Sequence, residues 1–400
     1  MTKTLVTALL ALVMTMHPPA PPGFGDDVEF LKRHTRVLLL GRGDAQVAVC
    51  PAYQGRVMTS TASGPSGLSL GWIHREHIGA GQLVPHINVF GGEDRFWIGP
   101  EGGQFSVFFK KGDPFDLEHW QTPAPVDSDV WTGTEGRGSV RFRKPMRLVN
   151  YSGTTFDLEV DRQVHILAPE QIRKFLGVAP AGGAKAVAFE SENRITNTGK
   201  APWQKATGLL SVWILGMLPP SPTAIVVIPF RPGPPASLGP VVNDAYFGKV
   251  PADRLAVDRN VLFFRADGQY RGKIGLSPRR AKPLLGSYDS ANGILTLVQY
   301  TLPAGITDYV NSMWEIQKDP YGGDTVNSYN DGPPQPGAKP LGPFYEIETS
   351  SPAAALAPGS SLVHMHRTFH FVGSDRDLDP IVRATLGVGL DEIRKALPAR

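Results

Sequence analysis

Cysteine is nearly absent from this chain of 400 residues, which contains only Cys50. No disulfide can therefore form within the chain. The residues before Cys50, Val47 to Val49, are small and apolar, a setting typical of a buried strand. A thiol in such a setting is usually inert, so we expect Cys50 to be a core residue and not a nucleophile.

Charge is also scarce, because Asp, Glu, Lys and Arg make up 19% of the residues and the formal net charge is +3. Basic and acidic residues are interleaved along the whole sequence. The chain therefore has no basic stripe of the kind that nucleic-acid-binding proteins present, and we expect no nucleic-acid partner.

Several catalytic signatures are missing. The sequence contains no G-x-S-x-G elbow, no P-loop, no H-E-x-x-H helix and no C-x-x-C pair. These absences argue against the corresponding hydrolases, nucleotide enzymes and redox enzymes. We expect no cofactor and assign no metal ligands. A glycosidase with two carboxylates stays open, since their separation in space cannot be read from a sequence.

Long apolar runs are missing as well, apart from Leu5 to Val13, which follows Lys3. This pattern predicts a secretory signal, because the run is too short to span a bilayer. We therefore expect residues 1–22 to be a signal peptide with a Pro-rich leader. The expected location is periplasmic or secreted, with no membrane association after cleavage.

Glycine and proline are abundant, at 44 and 37 residues, and they punctuate many short segments of strand-like sequence. The clearest is 156–166, where apolar and polar residues alternate with period two. Further strands are expected at 46–49, 104–109, 139–143, 186–196, 224–229, 261–266 and 293–301. Short strands at regular spacing without intervening helices indicate a sandwich or barrel.

Helix is expected only near the two ends of the mature chain. Asp26 to His34 can form one short helix, with Asp26 near its N-cap. At the other end, Asp379 and Pro380 suggest an N-cap and a first helical residue, and a second piece follows over 391–397. We predict an all-β protein with a single domain over 26–372 and a C-terminal helical tail over 373–400.

The segment from His86 to Trp97 is the first candidate site. His86 and Asn88 share one face of an extended segment, and the glycines at 91 and 92 allow close approach of a ligand. Glu93 and Arg95 lie beside Trp97. Sugars need both kinds of group, because their hydroxyls bond polar side chains while their C–H faces stack on aromatic rings. A turn with an internal ion pair is the alternative.

A second candidate site runs from Trp314 to Gly332 and includes Asn330 and Asp331. It is rich in amide, carboxylate and aromatic groups, but its spacing does not match a calcium loop. We expect a ligand-binding rim there, with an ordinary loop of Asn and Asp turns as the alternative.

The third candidate site lies in the last strands. On a strand over 344–349, Glu346 and Glu348 share one face, and two close carboxylates can split their pKa values for acid–base work. Downstream, His364, His366, Thr368 and His370 also share a face. Because the opposite face is apolar, we expect these histidines to look into solvent or a cavity. Their spacing would suit a metal, but no carboxylate ligand can be assigned.

Three segments together resemble the aldose 1-epimerases. The sequence Ile347-Glu348-Thr349-Ser350-Ser351-Pro352, followed by Leu356-Ala357-Pro358-Gly359 and an alternating strand, resembles their C-terminal motif. Asn88 with Gly91 and Gly92 resembles their Asn…His-Gly-Gly segment. Residues 26–372 as a whole resemble an uncharacterised bacterial family of galactose-mutarotase-like fold. The resemblance implies a large antiparallel β-supersandwich.

The resemblance also implies roles for particular residues. Glu348 would be the general base that takes the proton of the anomeric hydroxyl, with Glu346, Arg95 and His86 nearby. The general-acid histidine of the family has no counterpart here, because Trp213 stands in the equivalent stretch and Phe90 precedes the two glycines.

Three hypotheses follow, each with a carbohydrate as the ligand. The first is an epimerase-like enzyme. The second is a non-catalytic binding protein that uses Trp97, Trp213 and Trp314 as stacking platforms, with Asn88, Glu93, Asn330, Asp331 and His366 among its polar contacts. The third is a metal-assisted lyase or hydrolase that uses His364 or His366. The sugar and the oligomeric state are not predicted.

Overall fold

The computed structural model describes residues 23–178 and 182–398, so the predicted leader lies outside the described residues. These residues form eighteen strands in three antiparallel sheets. None of their helices has the length and apolarity needed to cross a membrane. The predicted all-β class, with one short N-terminal helix and a helical C-terminal tail, is confirmed.

The largest sheet has ten strands and forms one layer of the molecule. In spatial order they are β11 (Leu255–Asp258), β12 (Val261–Arg265), β10 (Ala224–Pro229), β14 (Leu284–Asp289), β15 (Ile294–Tyr300), β18 (Ser361–Val372), β8 (Lys185–Asn197), β7 (Thr155–Ile166), β6 (Ser139–Val149) and β5 (Thr132–Gly136).

The second layer contains two smaller sheets. The five-stranded sheet has the order β13 (Gly272–Leu276), β16 (Val326–Asn330), β17 (Tyr345–Ser350), β9 (Ser211–Leu218) and β4 (Arg95–Gly99). The three-stranded sheet has the order β1 (Leu38–Arg42), β2 (Ala45–Cys50) and β3 (Arg56–Thr61). An antiparallel bridge between Val57 and Asp94 joins the two sheets side by side.

The described residues also form seven α-helices and one short 3₁₀ segment, Pro51–Tyr53, outside the sheets. The helices are α1 (Phe24–His34), α2 (Arg75–Ala80), α3 (Ala124–Asp127), α4 (Pro169–Leu176), α5 (Pro235–Leu238), α6 (Asp375–Leu386) and α7 (Leu390–Lys395).

Successive side chains of a strand point to opposite faces of the ten-stranded sheet, and apolar side chains on each face form a core. On β10, Val226 and Ile228 face the five-stranded sheet and pack with Ile274 and Ile347. Their neighbours Ile225 and Val227 point to the other face, where the apolar sides of α4, α6 and α7 cover the sheet. The strand is therefore buried on both sides, which accounts for its continuous apolar sequence.

Several local predictions are wrong. Residues 104–109 form a loop and not a strand, and the helices α2, α3, α4 and α5 have no counterpart in the prediction. The C-terminal helix begins at Asp375 with Ser374 as its N-cap, so Pro380 lies inside it. The earlier start has a local cause, since the backbone N–H groups of Asp377 and Leu378 both donate to the carbonyl of Ser374.

The histidines of β18 are also placed differently from the prediction that they face solvent or a cavity. His364, His366 and His370 are fully buried between the two layers, because the five-stranded sheet covers their face while α6 and α7 cover the apolar one. Burial lowers the pKa of His364 to about 3 and that of His366 to about 4. Cys50, by contrast, is a buried strand residue as predicted.

Candidate functional site

The outer face of the five-stranded sheet, which points away from the ten-stranded sheet, carries charged and aromatic side chains. On β17, Ile347 packs into the core between the layers and Thr349 bonds His364 and His366 there. Side chains alternate along a strand, so Glu346 and Glu348 must project from the outer face.

The register of the sheet brings distant parts of the sequence onto this face. Glu346 is paired with Met217 of β9 and with Tyr329 of β16, which is in turn paired with Lys273. Glu348 is paired with Leu215, which lies opposite Arg95 of β4. Paired residues on neighbouring strands point to the same face of a sheet, so the side chains of all these residues lie on one surface.

A cavity of about 120 Å³ lies over this surface. Loops close its sides, above all the segment from Gly332 to Leu341 that follows β16. The lining residues are Ile87, Arg95, Trp97, Glu101, Leu117, Trp120, Trp213, Leu215, Met217, Phe247, Arg271, Lys273, Trp314, Tyr329, Asp331, Gly332, Pro334, Lys339, Leu341, Phe344 and Glu346. We call this cavity the pocket.

Four tryptophans give the pocket its aromatic wall. The ring of Trp97 lies edge-on to those of Trp213 and Trp120, with centroids 5.4 and 6.3 Å apart. Trp314 extends the wall, at 5.7 Å from Trp120. Trp97 is tethered by its indole N–H, which donates to the carbonyl of Val126. The wall is therefore held in place by packing and hydrogen bonding before any ligand arrives.

The first charged pair of the pocket joins Arg95 to Glu346. Arg95 Nη2 donates to Glu346 Oε1 at 2.9 Å, and its guanidinium lies over the ring of Trp97, 4.0 Å from the centroid. Burial raises the pKa of Glu346 to about 8, since it outweighs the opposing charge of Arg95, and nearby Glu348 adds to the rise. The carboxyl of Glu346 therefore keeps its proton to a higher pH than an ordinary glutamate does.

The second charged pair lies beside the first. Lys273 Nζ donates to Glu348 Oε2 at 2.9 Å, and Trp213 Nε1 donates to the same oxygen at 2.9 Å. Glu348 is 0% exposed and lies beneath Lys273 and Trp213, which line the pocket. Burial opposes the charge of Lys273, but Glu348 and Glu101 outweigh it and raise its pKa. Lys273 is therefore a cation fixed at the floor.

Glu101, in the loop after β4, adds a third carboxyl to the pocket. Burial raises its pKa, against the influence of Lys273 and of a hydrogen bond from Trp314. Asp331 is a fourth carboxyl in the wall, and it accepts hydrogen bonds from the hydroxyl of Tyr329 and from the backbone N–H of Gly342. Burial raises the pKa of Asp331 too.

Some polar atoms around the pocket lack a partner. Among residues 23–178 and 182–398, no hydrogen-bond partner is found for the buried atoms Trp120 Nε1, Arg95 Nε and Glu348 Oε1. Native proteins leave few buried polar atoms unpaired, and such atoms often mark a functional site. Two donors and one acceptor at or beneath the pocket therefore lack a protein partner.

The pocket brings together seven of the residues that the sequence proposed. Arg95, Trp97, Trp213, Trp314, Asp331 and Glu346 line it, and Glu348 lies directly beneath its floor. Their roles stay predictions, but the three segments of the sequence that carried them do meet.

Three other proposed residues hold loops in place. His86 Nδ1 donates to the carbonyl of Trp120 at 2.6 Å, and Asn88 Nδ2 donates to Asp127 Oδ2 at 2.6 Å. Asn330 projects to the inner side of its strand, where its side chain bonds the backbone of Gly268 and of Tyr270. None of the three lines the pocket.

Glu93 and His366 lie between the layers, away from the pocket. His370 Nε2 and Glu93 Oε2 are 2.6 Å apart, and His366 Nδ1 bonds Thr349 Oγ1 at 2.9 Å. Within the described ranges, no group of three or more His, Cys, Asp or Glu side chains is arranged to hold a metal ion.

Sequence reasoning missed most of the cations and one key acid of the pocket, namely Lys273, Arg271, Lys339 and Glu101. Lys273 and Arg271 lie on and before a strand that pairs with β16, more than fifty residues away along the chain. The one signal in the sequence is that Lys273 stands among the apolar and glycine residues of Gly272–Leu276, an unusual place for a lysine.

Comparison with known proteins identifies a family that matches almost the whole chain. The model of a family described as "Family of unknown function (DUF6786)" matches residues 22–397. No curated protein matches the chain.

Solved structures with similar folds include the Slr1438 protein from Synechocystis sp. PCC 6803, with a TM-score of 0.50, 12% identity, and coverage of 85% of this chain and 96% of that one. They also include a galactose mutarotase-like protein from Lactobacillus casei ATCC 334, with a TM-score of 0.44, 8% identity, and coverage of 84% and 100%. At these identities the likeness concerns the fold alone.

Proposed function

The chain belongs to this family of unknown function, and we propose that it binds a carbohydrate in the pocket and performs epimerase-like acid–base chemistry at the anomeric carbon. One observation carries the proposal. Two carboxyls on the same face of β17, Glu346 and Glu348, lie at the floor of an aromatic pocket, each bonded to a cation from another strand.

The pocket can contact both the apolar C–H faces and the polar hydroxyls of a sugar. A pyranose has C–H faces that stack on aromatic rings, and Trp97, Trp120 and Trp314 offer such rings. Its hydroxyls need donors and acceptors, and the unpaired atoms Trp120 Nε1, Arg95 Nε and Glu348 Oε1 supply both kinds. A concave, largely apolar pocket with a few convergent polar groups is the usual form of a small-molecule site.

The two carboxyls have different environments, which suits them to different tasks. Glu348 bonds Lys273 through Oε2, so Oε1 is the acceptor that would take the proton of the anomeric hydroxyl. Glu346, whose pKa is raised by burial, would donate its proton to the ring oxygen. The ring then opens to the aldehyde. Rotation about the bond to C1 and the reverse proton transfers close it with the other configuration.

A second candidate function is carbohydrate binding without catalysis. It is favoured by the position of Glu348, which is completely buried beneath Lys273 and Trp213 instead of being open to the pocket. In this alternative the two ion pairs only hold the floor, and the tryptophans do the binding.

Anomer exchange measured by NMR separates the two functions. The wild type and Glu348→Gln are compared on a panel of free sugars, with Glu192→Gln on β8 of the other sheet as a control that loses the same charge. General acid–base catalysis contributes about 10²- to 10⁴-fold, so we expect exchange to be accelerated by the wild type and the control and to fall at least about 100-fold in Glu348→Gln.

Other outcomes of this experiment also have a clear meaning. If the wild type accelerates no exchange while sugars shift the signals of its tryptophan indoles, the protein is a binding protein and the catalytic proposal is wrong. If Glu348→Gln exchanges anomers as fast as the wild type, Glu348 is not the base.

A further inference from the structure

Arg271 is a cation at the pocket that the proposed chemistry does not use. Its guanidinium lies over the ring of Phe247, 3.9 Å from the centroid, and both residues line the pocket. It also contacts the hydroxyl of Tyr329. Stacking on one side and a neighbouring strand on the other hold the planar group in a defined orientation.

Arg271 has no ion-pair partner among residues 23–178 and 182–398. The other pocket cations Arg95 and Lys273 each bond a glutamate, but Arg271 forms no ion pair with any carboxylate in the part of the chain that the structure describes. The nearest acid of the wall, Asp331, has its two oxygens occupied by Tyr329 and Gly342. An arginine that is oriented but unpaired is a binding group for an anion.

A second cation stands at the rim. Lys339 belongs to the loop that closes the pocket, lines it, and is exposed. Like Arg271, it forms no ion pair within the described residues. A lysine on a loop acts as a mobile point charge, whereas the arginine offers a fixed fork, and the two together can hold a group with several anionic oxygens.

The charge balance of the pocket points in the same direction. Four cations line it, Arg95, Arg271, Lys273 and Lys339, together with three acids, Glu101, Asp331 and Glu346, and a fourth acid, Glu348, lies beneath the floor. Glu346 pairs with Arg95 and Glu348 with Lys273, so Arg271 and Lys339 are the two pocket cations without an ion pair in the described ranges. Burial raises the pKa of Glu101, Asp331 and Glu346, which favours their neutral forms and adds to the attraction for anions.

We propose that the pocket selects a carbohydrate bearing an anionic substituent, a carboxylate or a phosphate, which Arg271 binds with Lys339 closing over it. This inference rests on the proposed function only in that the ligand is a carbohydrate. It does not require that any reaction follows. The substituent lies toward the Phe247 side of the pocket, and the ring of the sugar lies toward the tryptophan wall.

Binding titrations on matched ligands test this inference. Calorimetry with glucose, glucuronate and glucose 6-phosphate compares a neutral sugar with its two kinds of anionic derivative, and inorganic phosphate and acetate test the anion alone. A charge-assisted bond to Arg271 corresponds to about tenfold or more in affinity, so we expect at least one anionic sugar to bind that much more tightly than glucose. Which of the two does so distinguishes carboxylate from phosphate.

Arg271→Met is the test variant, since it keeps the apolar contact with Phe247 and removes the charge. Arg279→Met is its control, because Arg279 is exposed and lines a different groove. We expect Arg271→Met to lose the preference for the anionic sugar and to keep the affinity for glucose, while Arg279→Met binds like the wild type.

The inference is overturned if glucose binds as tightly as both anionic sugars, if Arg271→Met keeps the preference, or if phosphate or acetate alone binds as tightly as the sugar that carries it. Failure of the proposed chemistry looks different. In that case the wild type still prefers an anionic sugar in these titrations but accelerates no anomer exchange.

Discussion

Glu346 and Glu348 are two residues apart on one strand, yet they meet different conditions. Glu346 faces the pocket and bonds Arg95, which also stacks on Trp97. Glu348 is beneath the floor, where Lys273 and Trp213 share one of its oxygens. Burial favours the neutral form of Glu346 and raises its pKa.

The raised pKa of Glu346 predicts how activity depends on pH. An acid whose pKa is about 8 holds its proton below that value and loses it as the pH rises through it. Anomer exchange that uses Glu346 as the acid should therefore fall above about pH 8. We expect Glu346→Gln to be slower by about 10²-fold and to lack this decline. Rates measured by NMR across the pH range, with spontaneous exchange subtracted, check the prediction.

A decline above pH 8 that persists in Glu346→Gln would assign it to another group. The free sugar alone, measured in the same buffers, serves as the control, since its own exchange also changes with pH.

At this scale the sequence predicted the glutamates and, through the resemblance, Arg95 near them, but it did not predict Lys273. Alternation along 344–349 was enough to place Glu346 and Glu348 on one face. The cations that pair with them, Arg95 and Lys273, come from strands 251 and 75 residues away, and only the register of the sheet brings them together. Spacing along one strand carries no information about such pairs.

In strand β18, the alternation of polar and apolar residues predicts a strand but not which face is buried against the other sheet. Its alternation of polar and apolar residues predicted a strand, and Ser361–Val372 is one. The pattern does not tell which face meets the larger core. Here the polar face lies between the sheets and the apolar residues Phe369 and Phe371 lie under the C-terminal helices. Burial of both faces makes the usual inference, apolar inside and polar outside, fail for this strand.

The C-terminal helices are accordingly part of the core. Leu378 of α6 is completely buried against the outer face of the ten-stranded sheet. Leu378→Ala should therefore lower the free energy of unfolding by about 2–5 kcal/mol, the range for a buried leucine that leaves a cavity. Urea unfolding followed by tryptophan fluorescence measures it.

The matched control for Leu378→Ala is Arg376→Ala, on the exposed side of the same helix, which should change the free energy of unfolding by about 0.5 kcal/mol or less. Equal effects of the two variants would mean that the tail does not support the sheet.

The molecule as a whole is two layers joined by buried polar contacts as well as apolar ones. Arg162 of β7, in the ten-stranded sheet, bonds Asp94 at the entry to β4 at 2.6 Å, and both side chains are 0% exposed. His370 and Glu93 form a second link between the layers. Such pairs require a defined alignment of the two sheets, whereas apolar packing alone tolerates small shifts.

Removal of one partner of the buried Arg162–Asp94 pair should lower the free energy of unfolding more than removal of one partner of a surface pair. Arg162→Met leaves the carboxylate of Asp94 buried without a cation, so we expect a loss of about 3–5 kcal/mol in the free energy of unfolding. Arg141→Met, which breaks the exposed pair with Asp161 on the same sheet, should cost about 1 kcal/mol or less.

Denaturant unfolding of both variants, and of Arg162→Met combined with Asp94→Asn, measures these effects. The double variant should recover part of the loss, because a neutral amide is less costly to bury. No recovery would show that Asp94 is not the source of the penalty.

The strand order of the five-stranded sheet also has a consequence in time. A ribosome makes β4 first and β9 next, and these two can pair, but β17 inserts between β9 and β16 and begins only at Tyr345. A nascent chain that has not yet reached this strand presents the apolar and aromatic side chains of β9 beside an open edge, a surface prone to wrong pairing. The pocket is thus completed near the end of synthesis. The growing chain should have most need of a chaperone just before β17 is made and the pocket forms.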